Sequence, residues 1–224
     1  MSAVFVTGAG TDIGKTHIAC ALLRVWRASG SACEAYKPVL SGYDPARIQD
    51  SDSARLLAAL GAPVNPEAIA AISPWRYGPA LAPPAAARAE GRFVPYGDVV
   101  AACQVRIAAH EGALLIEGAG GVMSPLAEGK TNLDLIAALN LPALLVVGTY
   151  LGAISHALTA IEALRARRVR VMATVVSESA AGAEPLADTV ASLRQLHTGL
   201  VVAAPRFDQD APVEILALAD LLRG

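Results

Sequence analysis

The chain has 224 residues, of which 54% are hydrophobic, 17% charged and 4% aromatic, and 18 Lys plus Arg against 20 Asp plus Glu leave a net charge of −2. That length can bury a full core, and the composition excludes intrinsic disorder. A nearly neutral chain also lacks the general electrostatic pull on nucleic acid that a nonspecific DNA binder requires.

In chain order, Ala3–Thr7 (AVFVT) predicts a short strand ending in a Gly-rich turn, Gly8–Gly14. Lys15 to Ser29 predicts a helix with Ile18, Leu22 and Val25 on one face, ended by Gly30. A strand follows at Cys33–Lys37, stopped by Pro38, then a short helix at Asp52–Leu60 ended by Gly61. Residues 62–84, rich in Pro and Ala, read as loop. Tyr96–His110 reads as helix, Ala113–Ile116 as a buried strand ending at Glu117, Leu133–Leu139 as helix and Ala143–Val147 as strand. Ala153–Arg167 is a helix whose basic last turn suits its dipole. Val169–Val176 (strand), Pro185–His197 (helix), Leu200–Ala203 (strand) and Val213–Leu222 (helix) complete the series. Wholly apolar strands alternating with helices predict a doubly wound α/β fold, a mainly parallel sheet covered on both faces, in a single domain over 1–224. Ligands of such sheets bind at the carboxyl ends of the strands, where every motif below falls.

Cys20, Cys33 and Cys103 show neither metal-ligand nor disulfide spacing and read as buried small residues in a reducing compartment. The N-terminus lacks signal-peptide character, and no apolar run reaches the ~20 residues of a membrane helix. The expectation is a soluble cytoplasmic protein that binds neither membrane nor nucleic acid.

The sharpest motif is Gly8-Ala-Gly-Thr-Asp-Ile-Gly14-Lys15-Thr16, between a strand and a helix as a phosphate-binding P-loop requires. Its amides can converge on phosphate oxygens, Lys15 can reach the β- and γ-phosphates, and the Thr16 hydroxyl can bind Mg²⁺. Its first glycine, Gly8, stands one residue earlier than the common spacing would put it, at Ala9. Glu117 ends its strand before Gly118-Ala119-Gly120-Gly121, facing the crevice as a metal ligand. Asp50 and Asp52 in QDSDSARL read equally as metal-site acids or as helix caps. Lys37, in YKPVLSG, points into the crevice beside the P-loop. His17 and His156 have no metal partner at useful spacing and read as structural or supporting residues.

Taken together, TGAGTDIGKT, YKPVLSG, QDSD, IEGAGG and LGAISHA resemble, in this order and over nearly the whole chain, the motifs of the dethiobiotin synthetase family. The resemblance implies a P-loop NTPase-like fold. It implies an ATP- and Mg²⁺-dependent homodimer that carboxylates 7,8-diaminononanoate with CO₂ and closes a ureido ring in biotin biosynthesis. By the same resemblance Lys37 and Lys15 are catalytic, and Thr16, Asp52 and Glu117 hold the metal. Asp12, Ile13, Gly14, Lys15, Thr16 and His17 then take the nucleotide with Asp52 and the Glu117, Gly118, Ala119 and Gly120 run. Ser177, Glu178, Pro205, Arg206 and Phe207 flank its base or ribose. Thr11, Lys37, Ser41, Gly118 and Val122 meet the diamine or its carbamate, and Gly152, Ala153 and Ser155 bind its carboxylate tail across the dimer.

Ser177 stands where the family often has an Asn that reads adenine, which implies use of other nucleoside triphosphates besides ATP. Ser155 replaces the Asn of LGxxNHA, and Tyr150 fills a position that is polar in the family pattern. Two other classes fit less well. A partitioning ATPase carries a lysine where this chain has Gly10, and the final helix lacks a basic membrane-targeting face. A corrinoid amidation synthetase would need a glutaminase domain and a nucleophilic Cys that this chain does not supply.

Overall fold

The computed structural model describes residues 3–180, 184–208 and 210–223. Ala181 and Gly182 of the VVSESAAG segment lie outside them. The first half of the chain contains β1 (Ala3–Gly8), α1 (Lys15–Ala28), β2 (Cys33–Tyr36), β3 (Val39–Ser41), α2 (Asp52–Leu60), α3 (Pro66–Ile72), β4 (Trp75–Tyr77), α4 (Pro83–Ala89) and α5 (Tyr96–Ala109). Then follow β5 (Ala113–Glu117), β6 (Pro125–Ala127), β7 (Lys130–Thr131), α6 (Asn132–Leu139), β8 (Ala143–Val147), α7 (Ala153–Ala166), β9 (Val171–Ser177), α8 (Leu186–Leu196), β10 (Val201–Ala204) and α9 (Val213–Arg223).

Six strands form one sheet in the order β10-β9-β8-β1-β5-β2, every pair parallel. The strands β1, β5 and β8 are buried along their whole length, as their unbroken apolar runs require of a sheet covered on both faces. The helix α1 packs with α2 and α9, while α5 packs with α6 and α7 with α8. Trp26 on α1 is buried and donates its indole N–H to Ala219 O at 2.9 Å, fixing the closing helix to the first one. The chain passes from β1 outward to β2, returns to β5, and then continues on the far side of β1 with β8. That reversal puts the carboxyl end of β1 at the topological switch point, with the ends of β2 and β5 beside it.

The 62–84 segment corrects the sequence reading. It holds α3, β4 and the start of α4, and β4 pairs in parallel with β3 in a small second sheet. The helix α3 is capped by Asn65, whose Oδ1 accepts from Ala68 N, with Pro66 in the first turn. Its Ile72 O then accepts the Lys37 backbone N–H at 2.9 Å, so this small layer holds the end of β2 in place. The hairpin β6–β7 was likewise absent from the sequence reading. Cys20 and Cys103 are buried as expected, and burial pushes both thiols up to about 12, whereas Cys33 is only half-buried.

His197, at the end of α8, is buried, its Nδ1 3.2 Å from Arg165 Nη2 and its Nε2 without a partner among the described residues. Burial and the Arg165 charge hold its imidazole below the usual histidine value of 6.5. Below pH 6.5 the unfolded chain therefore binds a proton that the folded chain resists, and stability falls with falling pH. Chemical denaturation between pH 7 and pH 5 is expected to show a shallower decline for His197→Gln; equal slopes would exclude His197 as the source.

Candidate active site

The order of β2, β5 and β1 lays three strand ends side by side. Lys37 follows β2, Glu117 ends β5, and the Gly-rich loop follows β1 and opens α1 with Lys15 and Thr16. All four side chains are buried, Glu117 at 1% exposure and Lys37 at 3%. Lys37 Nζ donates to Glu117 Oε1 at 2.6 Å and lies 3.1 Å from Asp52 Oδ2. The Thr16 hydroxyl donates to the same Glu117 oxygen at 2.7 Å.

The two acids of QDSD separate cleanly. Ser51 is the residue that caps α2, its Oγ accepting from Ala54 N at 3.1 Å. Asp52, the first helical residue, is thereby free to reach Lys37, while the Asp50 side chain is 74% exposed and 4.0 Å from Arg47. Burial opposes charge on Lys37, but the Glu117 and Asp52 carboxylates outweigh it and raise the ammonium above its usual value. Burial likewise opposes charge on Asp52, and Lys37 outweighs it, holding the carboxyl below the usual carboxylate range. Lys15 shifts the other way: burial, then repulsion from Lys37, lower its ammonium, and its Nζ donates to Gly10 O at 2.8 Å.

Two adjoining cavities meet at the P-loop. One of about 670 Å³ is lined by Thr11 through His17, Lys37, Leu40, Ser41, Asp52, Arg55, Ala80 through Pro83, Ala119, Gly120, Ser124 and Pro125. The other, about 470 Å³, is lined by Asp12, Ile13, Gly14 and His17 on one side and by Ser177 through Ala180 and Pro205 through Asp208 on the other. Asp12, Ile13, Gly14 and His17 line both. The His17 ring packs at 4.3 Å from that of Phe207, and burial together with Arg24 and Arg206 lowers its imidazole. Glu178 Oε2 accepts from Arg206 N at 2.9 Å and ties the two edges of the smaller cavity together.

Gly14 adopts φ +96, and a Cβ there would come within 2.5 Å of Ser177 Oγ, so only glycine suits this turn. Gly118 and Val122 line neither cavity. Their amides donate to Val6 O at 3.1 Å and Gly8 O at 2.8 Å, stitching the segment after β5 onto β1 and the P-loop. A Cβ at Gly121 would meet Gly10 N and Gly8 O at 3.1 Å, which is why the two loops can approach so closely. Asn132, fully buried at the start of α6, donates to Ala119 O at 2.7 Å and Gly121 O at 2.8 Å. Sequence reasoning missed this brace, because an Asn in a helix's first turn looks like ordinary end chemistry. Gly152, Ala153 and Ser155 also line neither cavity. Gly152 and Ser155 are exposed at the start of α7, and the Ala153 amide is already given to Tyr150 O at 2.9 Å. Tyr150 donates to or accepts from His156 Nδ1 at 2.8 Å.

The donors around the P-loop suit a hard divalent cation. Thr16, Asp52 and Glu117 offer oxygen only, and Glu117 Oε2 is buried with no partner among the described residues. Among those residues no group of three or more His, Cys, Asp or Glu gathers, so a cation here would be completed by phosphate and water oxygens. No described helix is long and apolar enough to cross a membrane.

A strand, a glycine-rich loop and a helix opening with Lys15-Thr16, faced by acids from the neighbouring strand and helix, define a P-loop nucleotide-binding protein. The fold agrees with solved structures of that kind. They include the signal recognition particle receptor FtsY from Elizabethkingia anophelis, with a TM-score of 0.55 at 14% identity over 100% of this chain and 65% of that one. The MinC:MinD cell division complex of Aquifex aeolicus gives 0.53 at 11% identity over 98% of this chain and 86% of that one. A family model described as an AAA domain matches residues 2–209. An ATP-dependent dethiobiotin synthetase BioD of Caulobacter vibrioides is 49% identical over 221 residues, 96% of this chain and 99% of its own. Another, from Caulobacter sp. strain K31, is 54% identical over 180 residues, 80% of this chain and 77% of its own. The chain belongs to the family of ATP-dependent dethiobiotin synthetases, which are P-loop ligases.

Proposed function

We propose that this protein carboxylates 7,8-diaminononanoate with CO₂ and closes the ring to dethiobiotin, at the expense of ATP. The observation that carries the reading is the buried Lys37 ammonium held between Glu117 and Asp52 at the floor of a crevice that the P-loop also lines. One amine of the substrate adds to CO₂, giving a carbamate and releasing a proton. A carbamate oxygen takes the γ-phosphoryl group, with ADP as the leaving group. The second amine then attacks the carbonyl carbon and gives up a proton to solvent, and inorganic phosphate departs with the former carbamate oxygen.

Little of this needs a protein nucleophile. It needs in-line positioning and cations against developing charge. Mg²⁺ held by Thr16, Asp52 and Glu117 would neutralise phosphate oxygens. Lys15 serves the phosphates from the P-loop. Lys37, kept cationic by its two carboxylates, would stabilise the carbamate and phosphoryl oxygens. Thr11 and Ser41 border the space where the diamine would lie. In a homodimer the exposed start of α7 would present Gly152 and Ser155 to the carboxylate tail in the partner's crevice.

The isotopic test is direct. With ¹⁸O-labelled bicarbonate, one label is expected in the released phosphate; label confined to dethiobiotin and water would contradict the anhydride. Ser177 lines the smaller cavity, where the base would sit, with a single hydroxyl. Competition kinetics are expected to give less than about 10³-fold preference for ATP over CTP and GTP, since a matched polar site discriminates about that strongly. A larger preference would show that other groups read the adenine edge.

A further inference from the structure

Asp52 and Arg55 stand three residues apart on α2 and so share a helix face. Asp52 reaches into the larger cavity to Lys37, and Arg55 lines that same cavity together with Lys15, Thr16 and His17. Unlike the cations Lys15 and Lys37 and the Asp52 carboxylate in that cavity, its guanidinium makes no hydrogen bond or ion pair with the described residues. It is exposed at the crevice mouth. His17 marks where the two cavities join, and the Arg55 charge is among those acting on the His17 ring. A nucleotide spanning both cavities would lay its phosphates along the P-loop, in the cavity that Arg55 also lines. A planar fork of N–H donors on a cation matches phosphate oxygens far better than it matches the apolar Leu40, Ala80 and Leu81 that share the cavity.

We infer that Arg55 is a further nucleotide-binding residue, closing over the phosphate groups from α2 on the side opposite the P-loop amides. The inference rests on the P-loop site being where the nucleotide binds. It does not require the diamine to be the substrate.

The test is equilibrium binding of Mg·ADP and Mg·ATP to the full-length protein and to Arg55→Ala, Arg55→Lys and Arg47→Ala. Arg47 is a solvent-facing arginine outside both cavities and serves as the control. Arg55→Ala is expected to weaken both nucleotides about tenfold or more, the loss of one charge-assisted phosphate contact. Arg55→Lys falls between, and Arg47→Ala matches the parent. The parent's Kd should also rise more steeply with ionic strength than that of Arg55→Ala, which a merely structural residue would not produce. A change under threefold in Arg55→Ala, or identical salt slopes, overturns the inference. Failure of the ligase reading would appear separately, as absence of dethiobiotin from the parent protein.

Discussion

Lys37→Ala is expected to lower dethiobiotin formation by about 100-fold or more while leaving Mg·ATP bound, because the lost cation faces the charge that develops in phosphoryl transfer. The same substitution leaves Glu117, at 1% exposure, with only the Thr16 hydroxyl, so two carboxylates face each other across a hollow. Removing one partner of a buried pair costs about 3–5 kcal/mol of folding stability. Partial exposure of Asp52, at 38%, places the expected loss at the lower end of that range. The sign of the pH dependence separates the roles of Lys37. Its folded value is raised above 10.5, so its contribution is complete below pH 10.5 and is lost only as pH climbs through the folded value. Stability of the metal-free protein should thus show no Lys37 contribution to its pH dependence near neutrality. Single-turnover rates and urea denaturation of parent and variant check both parts. Near-parental turnover would remove Lys37 from the mechanism.

Glu117→Gln is the second large effect. The amide keeps an oxygen where Oε1 accepts from Lys37 and Thr16, at 2.6 and 2.7 Å. It loses the charge, and it replaces one of two carboxylate oxygens with an N–H₂ donor, which cannot ligate a cation. Turnover is expected to fall about 100-fold or more, and the Mg²⁺ concentration for half-maximal rate to rise about tenfold or more. A Mg²⁺ titration of rate at saturating ATP measures both. An unchanged Mg²⁺ requirement would place the cation elsewhere.

What the sequence revealed depended on how local the signal was. The P-loop was legible because its chemistry is contiguous, from Gly8 to Thr16. The central strands β1, β5 and β8 were legible because strands buried on both faces are nearly all apolar, whereas the edge strand β2, with Glu34, was marked chiefly by the Pro38 that stops it. The β3–β4 layer and α3 and α4 were not, since their Pro- and Ala-rich stretches carry little periodicity and are held by packing, as in the Ile72 bond to Lys37. The choice of Asp52 over Asp50 became physical only once Ser51 took the cap. Arg55 and Asn132 were invisible for a related reason: a lone Arg or Asn gains meaning from its cavity or its loop partners, which no spacing rule encodes.

The central claim is that one crevice couples ATP to ring closure of the diamine. Phosphate release from Mg·ATP, measured with and without 7,8-diaminononanoate and bicarbonate and paired with mass spectrometry of the product, tests it most directly. Release that requires both additions and yields dethiobiotin is the predicted result. Release indifferent to the diamine would contradict it and point to a partner-driven ATPase on the same P-loop.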